Sequence, residues 1–386
     1  MMYERRPDET DDELFRRICA DKKKIGTWDK VASVLNETFQ KDLSESCWRK
    51  RLNPSKPKPK CDNPIDLQRI KVRTELLELN KLKRSISRQE LFYENIGSKI
   101  EPLPQPMQLR NPYCKTNGRK THVLTIADIH CGAEFSIRGN QYSIDECIER
   151  FSILESHVVD YIKKNNITQL TILNLGDNIQ GLLRVSDIKL NETSVVESIV
   201  KISQILSTFL NDISAYCDIN YYHVPTSNHT QTRNLGTKRD ELKSEDVEFV
   251  IKNYIKDCLR NNNHITVYAD NKADYIEVPI GRFNAIACHG HTIKSISNFV
   301  NDISNYNRVF YDFAFVAHFH AGKEFVSGAT ETNDIETFVA NSFIGTCPYS
   351  ESLLKSATPS CKLFVFDDDY GHIESHKFCL RRKWGK

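Results

Sequence analysis

No uninterrupted apolar run in the sequence reaches membrane-spanning length, which argues against a transmembrane helix. The first residues, MMYERRPDETDDE, lack the apolar core of a secretion signal, so a soluble, cytoplasmic protein without a membrane partner is expected. A dominant charge is also missing. The formal net charge is only +2 over 386 residues, so any surface for an anionic partner must be local. Twelve cysteines are present, but they are scattered, form no C-x-x-C pair and are read as reduced thiols. Internal repeats are absent, and one short Lys-Pro run is the nearest approach to low complexity. The length leaves room for two or three domains.

Residues 1–53 form the first expected domain, with three short helices over 11–52. Leu14, Phe15 and Ile18 share one helical face, Thr27 precedes a helix with Trp28, Val31, Ala32 and Leu35, and Ser44 precedes one with Trp48 and Leu52. Arg49, Lys50 and Arg51 beside Trp48 suit a helix-turn-helix or Myb-like face laid against DNA phosphates, and these four residues are the DNA-binding candidates. A helical docking domain with a solvated charged face reads the same residues equally well. Residues 54–64 alternate Pro and Lys as an extended linker. Over 65–100 a connecting helix is expected. Ile65, Val72, Leu79 and Ile86 recur at sevens, so a homodimer through this stretch stays open beside packing on the next domain. Pro102, Pro104, Pro106 and Pro112 mark a second linker at 101–119.

From Lys120 to 386 the pattern alternates strand and helix. Strands are expected near 121–127, 169–175, 219–224, 265–268, 283–288 and 312–317, and helices near 143–165, 192–216, 240–261 and 294–306. The runs EFVSGA, TFVANSF, KLFVFD and HIESHKF suggest an added antiparallel sheet. On periodicity alone the class is α/β.

The organising stretch is THVLTIADIHCG, an apolar strand that ends by presenting Asp128 and His130 two residues apart. LNLGDNIQG, TSNHT, ACHGH and VAHFH follow, each setting a ligand-type side chain after a plausible strand. Asp128, His130, Asp177, Asn228, His289, His318 and His320 supply the carboxylates, amide and imidazoles that hold two neighbouring divalent cations. Asp177 in the Gly-Asp turn is the natural bridge between them. Cys131 and Cys288 inside these motifs are read as apolar filler, and His291 as a surface or supporting histidine.

This order resembles the calcineurin-like metallophosphoesterase family, whose pattern reads D-x-H, G-D, G-N-H-D/E, H and G-H-x-H. The D-x-H-x-G start is similar to that of bacterial and phage DNA repair exonucleases within it. The resemblance implies a four-layer α/β/β/α sandwich, with Asp128, His130 and His320 completing one metal site and Asn228, His289 and His318 the other. It further implies a hydroxide shared by the two ions that attacks phosphorus in line, and His229 as the general acid. Manganese is the expected metal, with iron, zinc or magnesium compatible. The chain departs from the pattern at Ser227, Thr230, Ala317 and Gln180, so the acidic group that would orient His229 is missing from its usual place.

Arg184, Arg233, Lys238 and Arg239 lie close in sequence to these motifs and are the substrate-binding candidates. With the basic N-terminal helix they favour DNA, hence a metal-dependent DNA phosphodiesterase in a bacterial or phage-infected cell. A phosphatase or phosphodiesterase for a protein or small molecule, and a DNA-binding accessory protein with a weakly active metal core, are the alternatives.

Overall fold

The computed structural model describes residues 3–52, 72, 74–76, 100–110, 118–181, 189–231, 241, 245–268 and 274–381. The 54–64 linker, nearly all of the 65–100 helix and residues 111–117 lie outside the described residues. The chain divides into two units, Met1–Ile86 and Ser87–Lys386.

The first unit holds α1 (Asp11–Ala20), α2 (Lys22–Ile25), α3 (Trp28–Phe39) and α4 (Glu45–Leu52), one short helix more than the spacing predicts. Thr10 starts α1 in a capping box with Glu13. Leu14, Phe15, Ile18, Val31, Leu35 and Trp48 form its core. Trp48 is the correction here. Its indole is buried, packs near Phe15 and Phe39, and donates through Nε1 to Asn36 Oδ1 at 2.8 Å. An indole spent on the core cannot lie against a nucleic acid. Arg49 and Lys50 turn away from the buried Trp48, whereas Arg51, one turn on, keeps its guanidinium 5.8 Å from the Trp48 ring; all three remain exposed. Trp28 is the tryptophan nearer the surface, with Lys22 and Arg49 5.3 and 5.7 Å from its ring.

In chain order the second unit runs β1 (Lys120–Ile126), β2 (Phe135–Ile137), β3 (Asn140–Tyr142), α5 (Ile144–Asn165), β4 (Gln169–Asn174), α6 (Val195–Ile213), β5 (Asp218–His223), α7 (Glu248–Cys258), β6 (Ile265–Tyr268), β7 (Tyr275–Ile280), β8 (Phe283–Cys288), α8 (Phe299–Asn307), β9 (Phe313–Val316), β10 (Lys323–Ala329), β11 (Asp334–Val339), α9 (Pro348–Ser352), β12 (Ser360–Asp367) and β13 (Gly371–Cys379). Residues 101–110, expected as linker, lie along this unit. Leu103 N–H donates to Cys258 O, Leu109 N–H to Ala215 O, and Arg110 pairs with Asp218.

Two sheets carry the fold. One has the order β13-β12-β1-β4-β5-β6, with β1, β4, β5 and β6 parallel. The other has the order β10-β11-β9-β8-β7, with β8, β9 and β11 parallel. Alternation along β1 explains how they pack. Leu124 and Ile126 join a core with α5, α6 and α7, while Val123 joins Phe315, Phe338 and Phe364 in a core shared with the second sheet. On the second sheet Val300 and Phe299 of α8 pack against Ile286 and Ala314.

The strands after His320 do not form an added sheet of their own. β10 and β11 extend the second sheet, whereas β12 and β13 form the edge of the first. β12 is apolar on both faces, with Leu363 and Val365 toward the helices and Phe364 and Phe366 toward the other sheet, so it requires an interior position. No helix among the described residues is long and apolar enough to cross a membrane.

Candidate metal centre

Parallel strands bring their carboxyl ends to one side, and each expected ligand follows such an end: Asp128 and His130 after β1, Asp177 after β4, Asn228 after β5, His289 after β8, and His318 and His320 after β9. Pairing continues past the β1 and β4 strands. Leu175 N–H donates to Ile126 O, Asp128 N–H to Gly176 O, His130 N–H to Asp177 O and Cys131 N–H to Asn178 O. On the far side of β1, Phe343 N–H and Ile344 N–H donate to the carbonyls of Ala127 and Asp128. Backbone bonding on both sides leaves the ligand side chains projecting between the loops.

The backbone is strained where it presents them. Asp128, His130, Asp177, His318 and His320 have φ of 53°, 51°, 52°, 71° and 54°, in the left-handed region. Each such residue costs on the order of 1 kcal/mol, and a structure retains the strain where the surroundings impose it. Gly176, at φ 88°, has no room for a Cβ, which would lie 2.8 Å from that of Ser227.

Donor atoms converge in three overlapping groups: Asp128, His130 and His320; His130, Asp177 and His229; and Asp177, His289 and His318. Asp177 and His130 each belong to two groups. His130 Nε2 lies 3.9 Å and His289 Nε2 3.1 Å from Asp177 Oδ2, and His320 Nε2 lies 3.9 Å from Asp128 Oδ1. Asp128 Oδ2 and both ring nitrogens of His130 are buried without a hydrogen-bond partner. Orphaned lone pairs of this kind fit a cation, because water-like donors are otherwise needed to satisfy them.

His289 makes the same point. Its Nδ1–H donates to Leu175 O at 2.8 Å, which leaves Nε2 facing Asn228 Oδ1 at 2.8 Å and Asp177 Oδ2 at 3.1 Å. Three acceptors this close need a proton or a metal ion between them. Without metal the proton wins. Burial pulls the His289 pKa down, but the Asp177 carboxylate outweighs it and raises the value to about 9. Burial works against ionisation of Asp177 too, yet His289 and His229 hold it well below the usual carboxylate range. Burial and the neighbouring His289 push His318 down to about 3, and burial with His229 depresses His130. Burial raises Asp128.

A pH dependence follows. A histidine whose folded pKa is raised stabilises the fold fully below its unfolded pKa of 6.5, and the contribution vanishes as pH rises through about 9. For His289 in the metal-free protein it amounts to about 3 kcal/mol. Melting temperature measured in chelator is expected to fall across this window, and saturating manganese should flatten the fall by replacing the proton. Asp246, raised by burial to about 8, adds a decline over the lower part of the window, which His289→Gln separates. A flat metal-free profile would contradict the ion pair.

His229 lies in the same space, its ring 4.5 Å from that of His130. Its N–H donates to Asp177 Oδ1 at 2.9 Å, and its Nδ1 lies 2.8 Å from Gln180 O. A backbone carbonyl thus fixes the imidazole where a carboxylate was expected. Gly181 permits this, since a Cβ there would collide with the His229 carbonyl. The His291 ring lies 5.5 Å from that of His289 and 6.4 Å from that of His318. Cys131 and Cys288 are buried and their thiols are held protonated, Cys131 through a hydrogen bond with the free thiol of Cys147 and burial, Cys288 by burial. Arg184, Arg233, Lys238 and Arg239 lie outside the described residues.

Asp246 and Glu248 are the residues that motif reading missed. Both are buried; Glu248 is bonded to the loops that carry Asp177 and Asn228, and Asp246 to the second of them. In sequence they sit in KSEDVEF at the start of a helix, where acidic residues ordinarily serve the helix dipole.

A family described as the YonJ N-terminal domain matches residues 1–55. The SPbeta prophage-derived protein YonJ of Bacillus subtilis (strain 168) is 30% identical over 401 residues, covering 97% of this chain and 98% of that protein. Among solved structures, a predicted phosphoesterase of Streptococcus pneumoniae TIGR4 is 12% identical, covering 67% of this chain and 98% of that one at a TM-score of 0.26. Vps29 of Entamoeba histolytica, complexed with Zn+2, is 12% identical and covers 68% and 100%, at a TM-score of 0.29.

Proposed function

The chain belongs to the family of the SPbeta prophage-derived protein YonJ, and within it we propose a two-metal phosphoester hydrolase acting on DNA. The observation that carries the hydrolase reading is the convergence of Asp128, His130, Asp177, Asn228, His289, His318 and His320, with lone pairs left over, at the carboxyl ends of strands from two sheets. The sequence of helices, sheet, sheet and helix seen in the core contacts agrees with a four-layer α/β/β/α reading.

Asp128, His130 and His320 would hold one cation, His289, His318 and Asn228 the other, and Asp177 would reach both. Bound there, two divalent cations supply Lewis-acid activation of water and neutralise charge on the phosphate oxygens. The chain's own part is orientation. Asp177 Oδ1 holds the His229 backbone, and Gln180 O fixes its Nδ1–H, so that Nε2 is the atom left to meet a leaving oxygen. DNA is favoured by the exposed Arg49, Lys50 and Arg51 of α4, with Trp28 among cations on the same unit.

The test is manganese-dependent cleavage of end-labelled single- and double-stranded DNA by the full chain, beside an aryl phosphodiester and an aryl phosphomonoester. The expected result is DNA cutting that weakens in Arg49→Ala, Lys50→Ala, Arg51→Ala, with a salt slope lower by about 0.9 per lost phosphate contact. Turnover of the aryl esters alone, unaffected by these substitutions, would replace DNA with a small-molecule or protein phosphoester.

A further inference from the structure

Thr230 stands where the motif's acidic member is expected, yet two carboxylates reach the same loop from farther along the chain. Glu248, with no exposed surface, accepts from Ser227 Oγ at 2.9 Å and from Asn178 N–H at 3.3 Å through Oε1. Its Oε2 accepts from Asn178 Nδ2 at 2.6 Å and lies 2.7 Å from His223 Nε2. Asp246 accepts from Ser227 N–H through one oxygen and from Glu248 N–H through the other. Ser227 immediately precedes Asn228 and His229, and Asn178 immediately follows Asp177. One buried carboxylate therefore ties together the two loops whose ligands must meet.

The network behind Glu248 closes without a conflict. Asn174 Nδ2 donates to Tyr221 OH and to Asn178 Oδ1, and Gly176 N–H donates to Asn174 Oδ1. Tyr221 OH is then free to donate to His223 Nδ1 at 2.9 Å, which leaves the proton of Nε2 for Glu248. Buried networks of this kind hold their members in one arrangement only when every member is satisfied.

We propose that Glu248 is a positioning residue of the metal centre, setting the register between the Asp177 loop and the Asn228–His229 loop through Asn178 and Ser227. The proposal rests on the two-metal reading above. Glu248 touches none of the atoms that would hold an ion, so it acts on the centre through the loops. Glu248→Gln turns one acceptor into an amide that faces the donors of Asn178 and His223. Ser227→Ala cuts the hydroxyl tether to the Asn228 loop, together with the 2.7 Å bond between Ser227 Oγ and Thr230 Oγ1 inside that loop, and keeps the carboxylate satisfied by Asn178 and His223.

The experiment uses the full chain loaded with cobalt(II), read by calorimetry and by its visible absorption spectrum. The expected result is a fall in affinity of roughly 10- to 100-fold in Glu248→Gln and of the order of 10-fold in Ser227→Ala, with an altered cobalt spectrum in both. In manganese-dependent phosphodiester hydrolysis, excess metal should restore part of kcat while KM stays near that of the unaltered chain. If Glu248→Gln fails to fold, Ser227→Ala carries the test. An unaltered chain that binds two ions, with both variants matching it in affinity and spectrum, overturns the proposal alone. An unaltered chain that binds no cobalt overturns the metal-centre reading and this proposal with it.

Discussion

Asp177→Asn is expected to abolish tight binding at both cation positions and to slow phosphoester hydrolysis by at least about 10³-fold. Asparagine has the same shape and can still accept the His229 N–H now held at 2.9 Å, so the loop should keep its course. Two things go with the charge. The amide can place a donor, where a lone pair stood, toward His289 Nε2 and toward both groups of ligands. His289 also loses the carboxylate that raises its pKa, so burial then favours its neutral form. The thermal shift on adding manganese reports the binding directly, since saturation at one hundred times Kd contributes about 2.7 kcal/mol. The unaltered chain should show that shift and Asp177→Asn should not. Equal shifts and equal rates in the two proteins would remove Asp177 from the centre.

Arg150→Met is expected to destabilise the second unit by about 3–5 kcal/mol. The guanidinium is almost wholly buried, and all of its nitrogens are bonded. Nε donates to Glu146, Nη1 to the carbonyls of Phe343 and Ile344, and Nη2 to Asn140 Oδ1 and Gln141 O. Methionine fills much of the space but leaves five acceptors without these donors, and the Tyr142 ring loses the cation 4.9 Å from its centre. Lysine should recover little, because a single ammonium cannot span acceptors arranged for a planar fork. The damage should reach the metal centre, since Phe343 and Ile344 also donate to the carbonyls of Ala127 and Asp128. Urea unfolding monitored on the full chain measures the loss. A change below about 1 kcal/mol would mean that the loops hold without the arginine.

Much of the centre is legible in the amino-acid order because Asp and His immediately after apolar runs are conspicuous, and parallel strands carry such residues to a common side. Asp128, Asp177, His289 and His318 each follow the end of a parallel strand. The longer strands are legible for the same reason, while β7 and the β2-β3 hairpin are not, being short or interrupted by Pro279 and charged residues. Trp48 misleads because a tryptophan among basic residues suits a nucleic-acid face as well as a core, and only the packing of α1 and α3 decides between them. Glu248 is hidden because its partners, Asn178, His223 and Ser227, come from two other loops and a strand end. The two sheets divide the final strands by the faces that each must bury, and period-two alternation does not carry that information.

β1 lies between β4 and β12, so the first long strand of the second unit has one of its partners far downstream in the sequence. During synthesis Lys120–Ile126 leaves the ribosome well before Ser360–Asp367 exists. At about 5–20 residues per second the interval is on the order of ten to fifty seconds. Throughout it one side of an apolar strand offers unpaired amides and carbonyls to whatever strand arrives first. A nascent chain is therefore most exposed to pairing with its neighbours at a time when all seven candidate ligands can already have been made, and β1 gains its second neighbour only once β12 follows.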